Sequence, residues 1–173
     1  MKKIFILCIA ASIAATMSAK GMDMSVGLVG GLGLGAQAKI MFTENLGLID
    51  ELGYFMNLDG GTADKYGRSS YAGLINNTTF VYQRPLKKMD GFDLFWYAGG
   101  QVKIGWMPFN FEKNVHAGIF GLATAGGLEA KITKAPISLS FDFRPGWAMM
   151  FTGEGAGAHL FDYSFNLGIR YRL

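Results

Sequence analysis

Cysteine is the first scarcity: the 173-residue chain holds one, Cys8, inside a stretch built like a removable leader. Lys2 and Lys3 make a basic start, Ile4 to Ala15 an apolar run, and Met17-Ser18-Ala19 a small-residue exit. This is the layout of a secretory signal peptide over 1–19, with cleavage expected after Ala19 or Ser18. Cys8 lacks the small residues that precede a lipoprotein cysteine, so it leaves with the leader. The mature chain, 20–173, then has no disulfide, no Cys-ligated metal and no thiol nucleophile.

Long apolar runs are also missing. After Ala19 there is no stretch of about eighteen apolar residues, so no transmembrane helix is available. Charge is sparse at 17%, and the formal net of +3 owes much to Lys2 and Lys3. The near-neutral remainder gives no argument for a nucleic-acid partner. No GxxxxGK[ST] loop and no Rossmann glycine pattern occurs, and no cofactor is expected. What the chain does have is 50% hydrophobic residues and 25 glycines. That is too greasy for disorder and too glycine-rich for a helical bundle.

The dominant pattern is a period of two, clearest from Phe161 to Leu173. There Phe161, Tyr163, Phe165, Leu167, Ile169, Tyr171 and Leu173 alternate with Asp162, Ser164, Asn166, Gly168, Arg170 and Arg172. Such alternation is a β-strand with one apolar and one polar face, and at ~3.3 Å per residue it can cross a bilayer at a tilt. Similar segments recur upstream: Val26 to Gly31; Leu34 to Phe42; Leu46 to Met56; Tyr71 to Tyr82; Phe92 to Ile104; Phe120 to Ile132; Ile137 to Met149. Asp50 breaks the third, which requires either a bulge or another register. The fourth carries apolar residues on both parities, so its faces stay unassigned. Turns near 43–45 and 133–136 are short, 83–91 reads as a longer basic turn, and 58–70, 105–115 and 151–160 read as long loops. A membrane-crossing chain without a spanning helix must close its sheet, because every backbone N–H and C=O needs a partner. The expectation is all-β: an eight-stranded antiparallel up-and-down transmembrane β-barrel of the outer-membrane layout.

Two features set which face is inside. The polar faces are rich in small residues (Gly99, Gly121, Ser138, Ser140, Gly168), which suits a crowded lumen. The apolar faces carry aromatics near both ends, forming two belts. Trp106, Trp147, Phe161 and Tyr163 lie towards the long loops; Phe42, Phe92 and Tyr171 lie towards the short turns. The reverse arrangement is a lipocalin-like secreted barrel. With polar faces inward, the lumen receives Lys39, Lys103, Lys131, Arg144, Arg170 and Arg172 against Glu51, Asp93, Glu129, Asp142 and Asp162. Asp142 is expected roughly opposite Gly168, within reach of Arg170. Eight strands enclose a space that side chains fill, so a plugged, ion-paired interior is expected.

The residues Gly35-Ala36-Gln37-Ala38-Lys39 running into Thr43-Glu44-Asn45, then Asp142-Phe143-Arg144-Pro145-Gly146, and the ending Asn166 to Leu173 carry a resemblance. The chain resembles the small eight-stranded outer-membrane barrels of the OmpA/OmpX type, the outer membrane protein β-barrel domain. The resemblance implies the Gram-negative outer membrane, contact with its lipid, and insertion by the barrel-assembly machinery. Phe165, Leu167, Ile169, Tyr171 and Leu173 would then be the insertion signal, although family members usually end in Phe. It implies no activity.

Chemistry-bearing motifs are thin. The lipid A deacylase type resembles a His-x-Ser arrangement, but His116 is followed by Ala117-Gly118 and His159 by Leu160-Phe161. Glu112 with His116, and Asp59 with Asp64, fall short of a metal site. Asn76 and Asn77 open formal N-x-Thr sequons inside a strand. No catalytic residue is assigned. The expected role is structural, with surface contact or adhesion through loops 58–70, 105–115 and 151–160. The alternatives are a small solute channel, a lipid A-modifying enzyme or the soluble barrel.

Overall fold

The computed structural model describes residues 23–31, 33–57, 71–109, 115–152 and 155–173. The expected signal segment and the loop at 58–70 lie outside them. Eight strands follow in order: β1 Asp23–Gly30, β2 Gly33–Met41, β3 Leu46–Asn57, β4 Tyr71–Met89, β5 Phe92–Phe109, β6 Val115–Ile132, β7 Ile137–Thr152 and β8 Gly155–Arg172. Each pairs antiparallel with the next, and β1 pairs with β8 to close the barrel. Closure removes every sheet edge, so all strands find backbone partners. Among the described residues no helix is long and apolar enough to cross a membrane.

The seam between β1 and β8 runs from Ser25↔Arg172 to Gly30↔Leu167. It depends on Gly27, where an added Cβ would lie 1.8 Å from the Ile169 carbonyl oxygen. The Leu173 amide donates to the Met24 carbonyl at 2.9 Å, so the two described ends meet at one end of the barrel.

That end carries the short turns. In the β2–β3 turn, Thr43 Oγ1 accepts from the Asn45 and Leu46 amides at 3.2 and 2.9 Å, a hydroxyl standing in for a backbone acceptor. The β4–β5 turn corrects the expectation of a long basic turn over 83–91. The strands continue to Met89 and Phe92, and Asp90-Gly91 alone reverses the chain, with Gly91 at φ 95°. Aspartate-glycine is the pair that such a hairpin favours. Pro85, which cannot donate to the ladder, sits where the register shifts between Pro85 and Lys87.

At the other end, β5 reaches Phe109 and β6 starts at Val115, so most of the loop expected over 105–115 is strand. The glycine-rich stretch expected as a loop over 151–160 is strand as well, in β7 and β8 on either side of 153–154. The third segment contains no bulge: pairing is continuous from Leu46↔Tyr82 to Asn57↔Tyr71, with Asp50 opposite Thr78.

Parity sets the faces. Leu28, Leu34, Phe80, Ile104, Leu122, Phe161 and Leu167 point outward and are exposed, while Lys39, Glu51, Glu129, Asp142, Arg144 and Arg170 point inward and are buried. An apolar exterior around a charged interior is the inverse of a lipocalin-type barrel. The fourth strand's two apolar parities now separate. Leu74 and Phe80 face out; Ile75 and Val81 face in, where they join two small apolar clusters. One packs Ile75 with Ala117, Ile119, Ala148 and Met150. The other packs Val81 with Ile49 and Tyr97.

Candidate functional site in the barrel interior

A set of inward-facing polar residues forms one continuous network, to which strands β2 to β8 each contribute. At the turn end, Glu129 of β6 holds two cations. Arg170 of β8 donates to its Oε1 at 2.7 Å, and Lys39 of β2 donates to its Oε2. Gln83 of β4 completes this group, giving its amide to Glu129 Oε2 at 2.9 Å and accepting from Lys39. Nearer the loop end, Arg144 of β7 holds two carboxylates. It reaches Glu51 of β3 at 2.5 and 2.8 Å and Asp142 of its own strand at 2.6 and 2.9 Å. Bidentate geometry of this kind is the strong form of an Arg–carboxylate bond.

Two side chains join these groups. Gln37 accepts from Arg170 and donates to Glu51 at 2.7 Å. Tyr97 donates its hydroxyl to Asp142 at 2.7 Å and presents its ring to the Lys39 ammonium, 5.5 Å from the centroid. Asn166 extends the chain of contacts, donating to Asp142 at 3.0 Å and to Ser164 at 3.1 Å. Buried charges are costly unless paired and hydrogen-bonded, and here Lys39, Arg144 and Arg170 balance Glu51, Glu129 and Asp142, with Arg170 Nε alone of the guanidinium nitrogens in this network left without a partner.

The structure thus brings together six of the sequence-predicted lumen residues, with one change of partner. Asp142 pairs with Arg144, not Arg170. In the β7–β8 register Asp142 sits opposite Asn166, and Arg170 opposite Ser138. Placing a loop over 151–160 had shifted the expected alignment. Arg172 is apart from the network, donating to the carbonyls of Ile132 and Ala135 at 2.6 and 2.8 Å. Lys131 pairs with Asp23 at 2.7 Å on the half-exposed rim, beside Phe95, and Asp93 faces Lys131 across the β5–β6 ladder. Lys103 lines a cavity of about 70 Å³ at the loop end with Glu51, Asn77, Ser164 and Asn166.

The side chains of Asp162, His116 and His159, and all of Glu112, Asp59 and Asp64, lie outside the described residues. Sequence reasoning did not single out Gln37, Gln83, Tyr97 or Asn166 as network members. Their inward parity was the available signal; that neutral groups bridge the charged ones was not.

On the exterior, Trp106, Trp147, Phe161 and Tyr163 are exposed towards the loop end. Phe42 and Tyr171 are exposed and Phe92 half-buried towards the turns. Phe165, Leu167, Ile169, Tyr171 and Leu173 form an exposed stripe down β8, with Phe165 stacked between Phe141 and Phe143 at centroid distances of 6.2 and 4.8 Å.

Fold and interior together define a class: a small closed eight-stranded antiparallel β-barrel with an apolar exterior and a charged, cross-braced lumen. Among solved structures, the chain is similar to Neisserial surface protein A (NspA), at 9% identity over 88% of this chain and 93% of that one, with a TM-score of 0.49. It is also similar to Ail, the attachment invasion locus protein of Yersinia pestis, at 12% identity over 88% and 97% of the two chains, with a TM-score of 0.39. Neither the protein-family models nor the curated proteins give a match to this sequence.

Proposed function

We propose that this chain is an outer-membrane structural and surface-contact barrel, exported by way of its 1–19 leader. Its short turns face the periplasm and its loop end faces the environment, the usual sidedness of such barrels. The observation that carries this reading is the pairing of an apolar exterior with a charge-balanced network braced across the interior. An eight-stranded lumen is about as wide as the side chains that fill it. With bridges from β2 to β6, β3 to β7 and β6 to β8, we read the interior as closed to ions and solutes. Contact with the surroundings is assigned to the connections between strands at the loop end, 58–70, 110–114 and 153–154, because a rigid scaffold carries variable function on its loops. The partners in this reading are outer-membrane lipid around the apolar band and the barrel-assembly machinery, which reads Phe165, Leu167, Ile169, Tyr171 and Leu173. No catalytic or cofactor role is assigned.

Membrane fractionation combined with protease shaving tests location and sidedness together. The expected result is recovery in the outer membrane with cleavage confined to the loop end; intact chain in the soluble fraction overturns the reading. Planar-bilayer recording tests closure: stable conductance from pure protein would make it a solute channel. Loss of lipid acyl chains in reconstituted membranes, abolished by His116→Ala or His159→Ala, would make it a lipid A-modifying enzyme.

A further inference from the structure

The outer wall contains one polar anomaly. On β3 and β4, Asp50, Asn76 and Thr78 face the same way as exposed Leu46, Tyr54, Leu74 and Phe80, and opposite to buried Ile49, Glu51, Ile75 and Thr79. They form a cluster on the apolar surface. Asp50 Oδ1 accepts from Thr78 Oγ1 at 2.8 Å and from Asn76 Nδ2 at 3.2 Å, and Thr78 also approaches Asn76 Oδ1 at 3.3 Å. Neighbours in the same rows are Ala36 and Ala38 on β2 and Val102 and Ile104 on β5. Among the described outward-facing residues of β3, Asp50 is the one with a charged side chain; the outward-facing Arg84 of β4 lies nearer the turns, opposite Trp96. A carboxyl group set against hydrocarbon is costly, and inside membranes such groups face a partner or a functional site.

We propose that the β3–β4 face is the contact surface for a second copy of this chain in the membrane, with Asp50 of each copy meeting the Asn76 amide and Thr78 hydroxyl of the other. A two-fold axis along the membrane normal brings each residue to its counterpart at the same depth. The cluster is self-complementary: it carries carboxylate and amide oxygens as acceptors, and amide and hydroxyl groups as donors. Asp50 Oδ2 is an acceptor that neither Asn76 nor Thr78 uses. The Asn76 bonds, to Asp50 and to the Glu51 carbonyl, are both long at 3.2 Å and are readily exchanged for bonds to a twin. Ala36 and Ala38 provide the small-residue platform that lets two walls approach within hydrogen-bonding distance. Each such bond in a membrane strengthens association about threefold, so a symmetric pair of them gives about tenfold.

The mature chain has no cysteine, so introduced ones report cleanly. In native membranes, oxidation of Leu52→Cys, two residues from Asp50 on the same face, is expected to give a disulfide-linked species of twice the chain mass. Leu167→Cys on β8, across the barrel from β4, is expected to stay monomeric. Combining Leu52→Cys with Asp50→Leu, Asn76→Leu and Thr78→Val should lower the cross-linked fraction about tenfold while the heat-modifiable barrel persists. Sedimentation of the unmodified protein in density-matched detergent should show two chains per particle, and this holds even if the multiple variant fails to assemble. The proposal is overturned if wild type sediments as a monomer or if Leu52→Cys links no better than Leu167→Cys. An adduct of another mass, or undiminished linking without the polar trio, overturns it equally.

Discussion

The two halves of the lumen network are charge images of one another. Towards the turns, one carboxylate, Glu129, is gripped by two cations, Lys39 and Arg170. Towards the loops, one guanidinium, Arg144, is gripped by two carboxylates, Glu51 and Asp142. Taken alone, the first group carries an excess positive charge and the second an excess negative one. Gln37 and Tyr97 join them, so the excesses face each other across two neutral side chains. Neither half is a satisfied unit, and the network is neutral only as a whole. Cooperative bracing of the wall, more than any local pair, is what this arrangement supplies.

The largest effect should come from the loop-end half. Arg144→Leu leaves Glu51 and Asp142 buried side by side without a cation, which costs about 3–5 kcal/mol. Urea unfolding in detergent micelles reads this as a lowered midpoint. A change below about 1 kcal/mol would place the site among exposed ion pairs, meaning the carboxylates are hydrated and the interior is open. Glu129→Leu is the mirror experiment and should cost somewhat less, about 2–4 kcal/mol. Lys39 has a long stem that can carry its charge towards the carboxylate of Asp23 at the nearby rim. If Glu129→Leu proves the more damaging, the ordering of the two halves is inverted.

What the sequence discloses of this arrangement follows from the range of the interactions. Strand number and face assignment are written in local alternation, and Glu51, Glu129, Asp142, Arg144 and Arg170 fall inside because of their parity alone. Partner choice is not local: the bridges join residues 93, 90 and 41 positions apart, and a two-residue error in one hairpin reassigns them. That happened at 151–160, where glycine and alanine imitate a loop but most of the segment is strand. At Asp90-Gly91 the turn signal was present, yet Pro85, Lys87 and Lys88 gave the whole segment the look of a turn. Asp50 misled differently. A charge on the apolar stripe reads as a break in the strand, whereas it marks a point where the outer wall departs from its rule.

The link between the halves gives a smaller and more specific effect. Gln37→Leu removes an acceptor from Arg170 and a donor from Glu51, for a loss of about 1–3 kcal/mol. Its sharper use is in a double-mutant cycle. Arg144→Leu and Glu129→Leu should be non-additive in the native background, because each alters the field in which the other's charges sit. They should become nearly additive once Gln37 is Leu. Unchanged coupling would assign the connection to Tyr97 alone.

Tyr97→Phe should be the mildest change. The ring keeps its place beside Ile49 and Val81 and its face towards Lys39. The only loss is the hydroxyl bond to Asp142, which still has Arg144 and Asn166 as donors. No buried acceptor is abandoned, so the cost should stay near 1 kcal/mol, the ordinary net worth of a hydrogen bond. Tyr97→Leu also forfeits the ring's contact with the ammonium and should cost visibly more. The difference between these two variants, read by the same urea titration, separates the ring from the hydroxyl. If Phe and Leu prove equally damaging, the hydroxyl alone joins the two halves, and Lys39 gains nothing from the aromatic face beneath it.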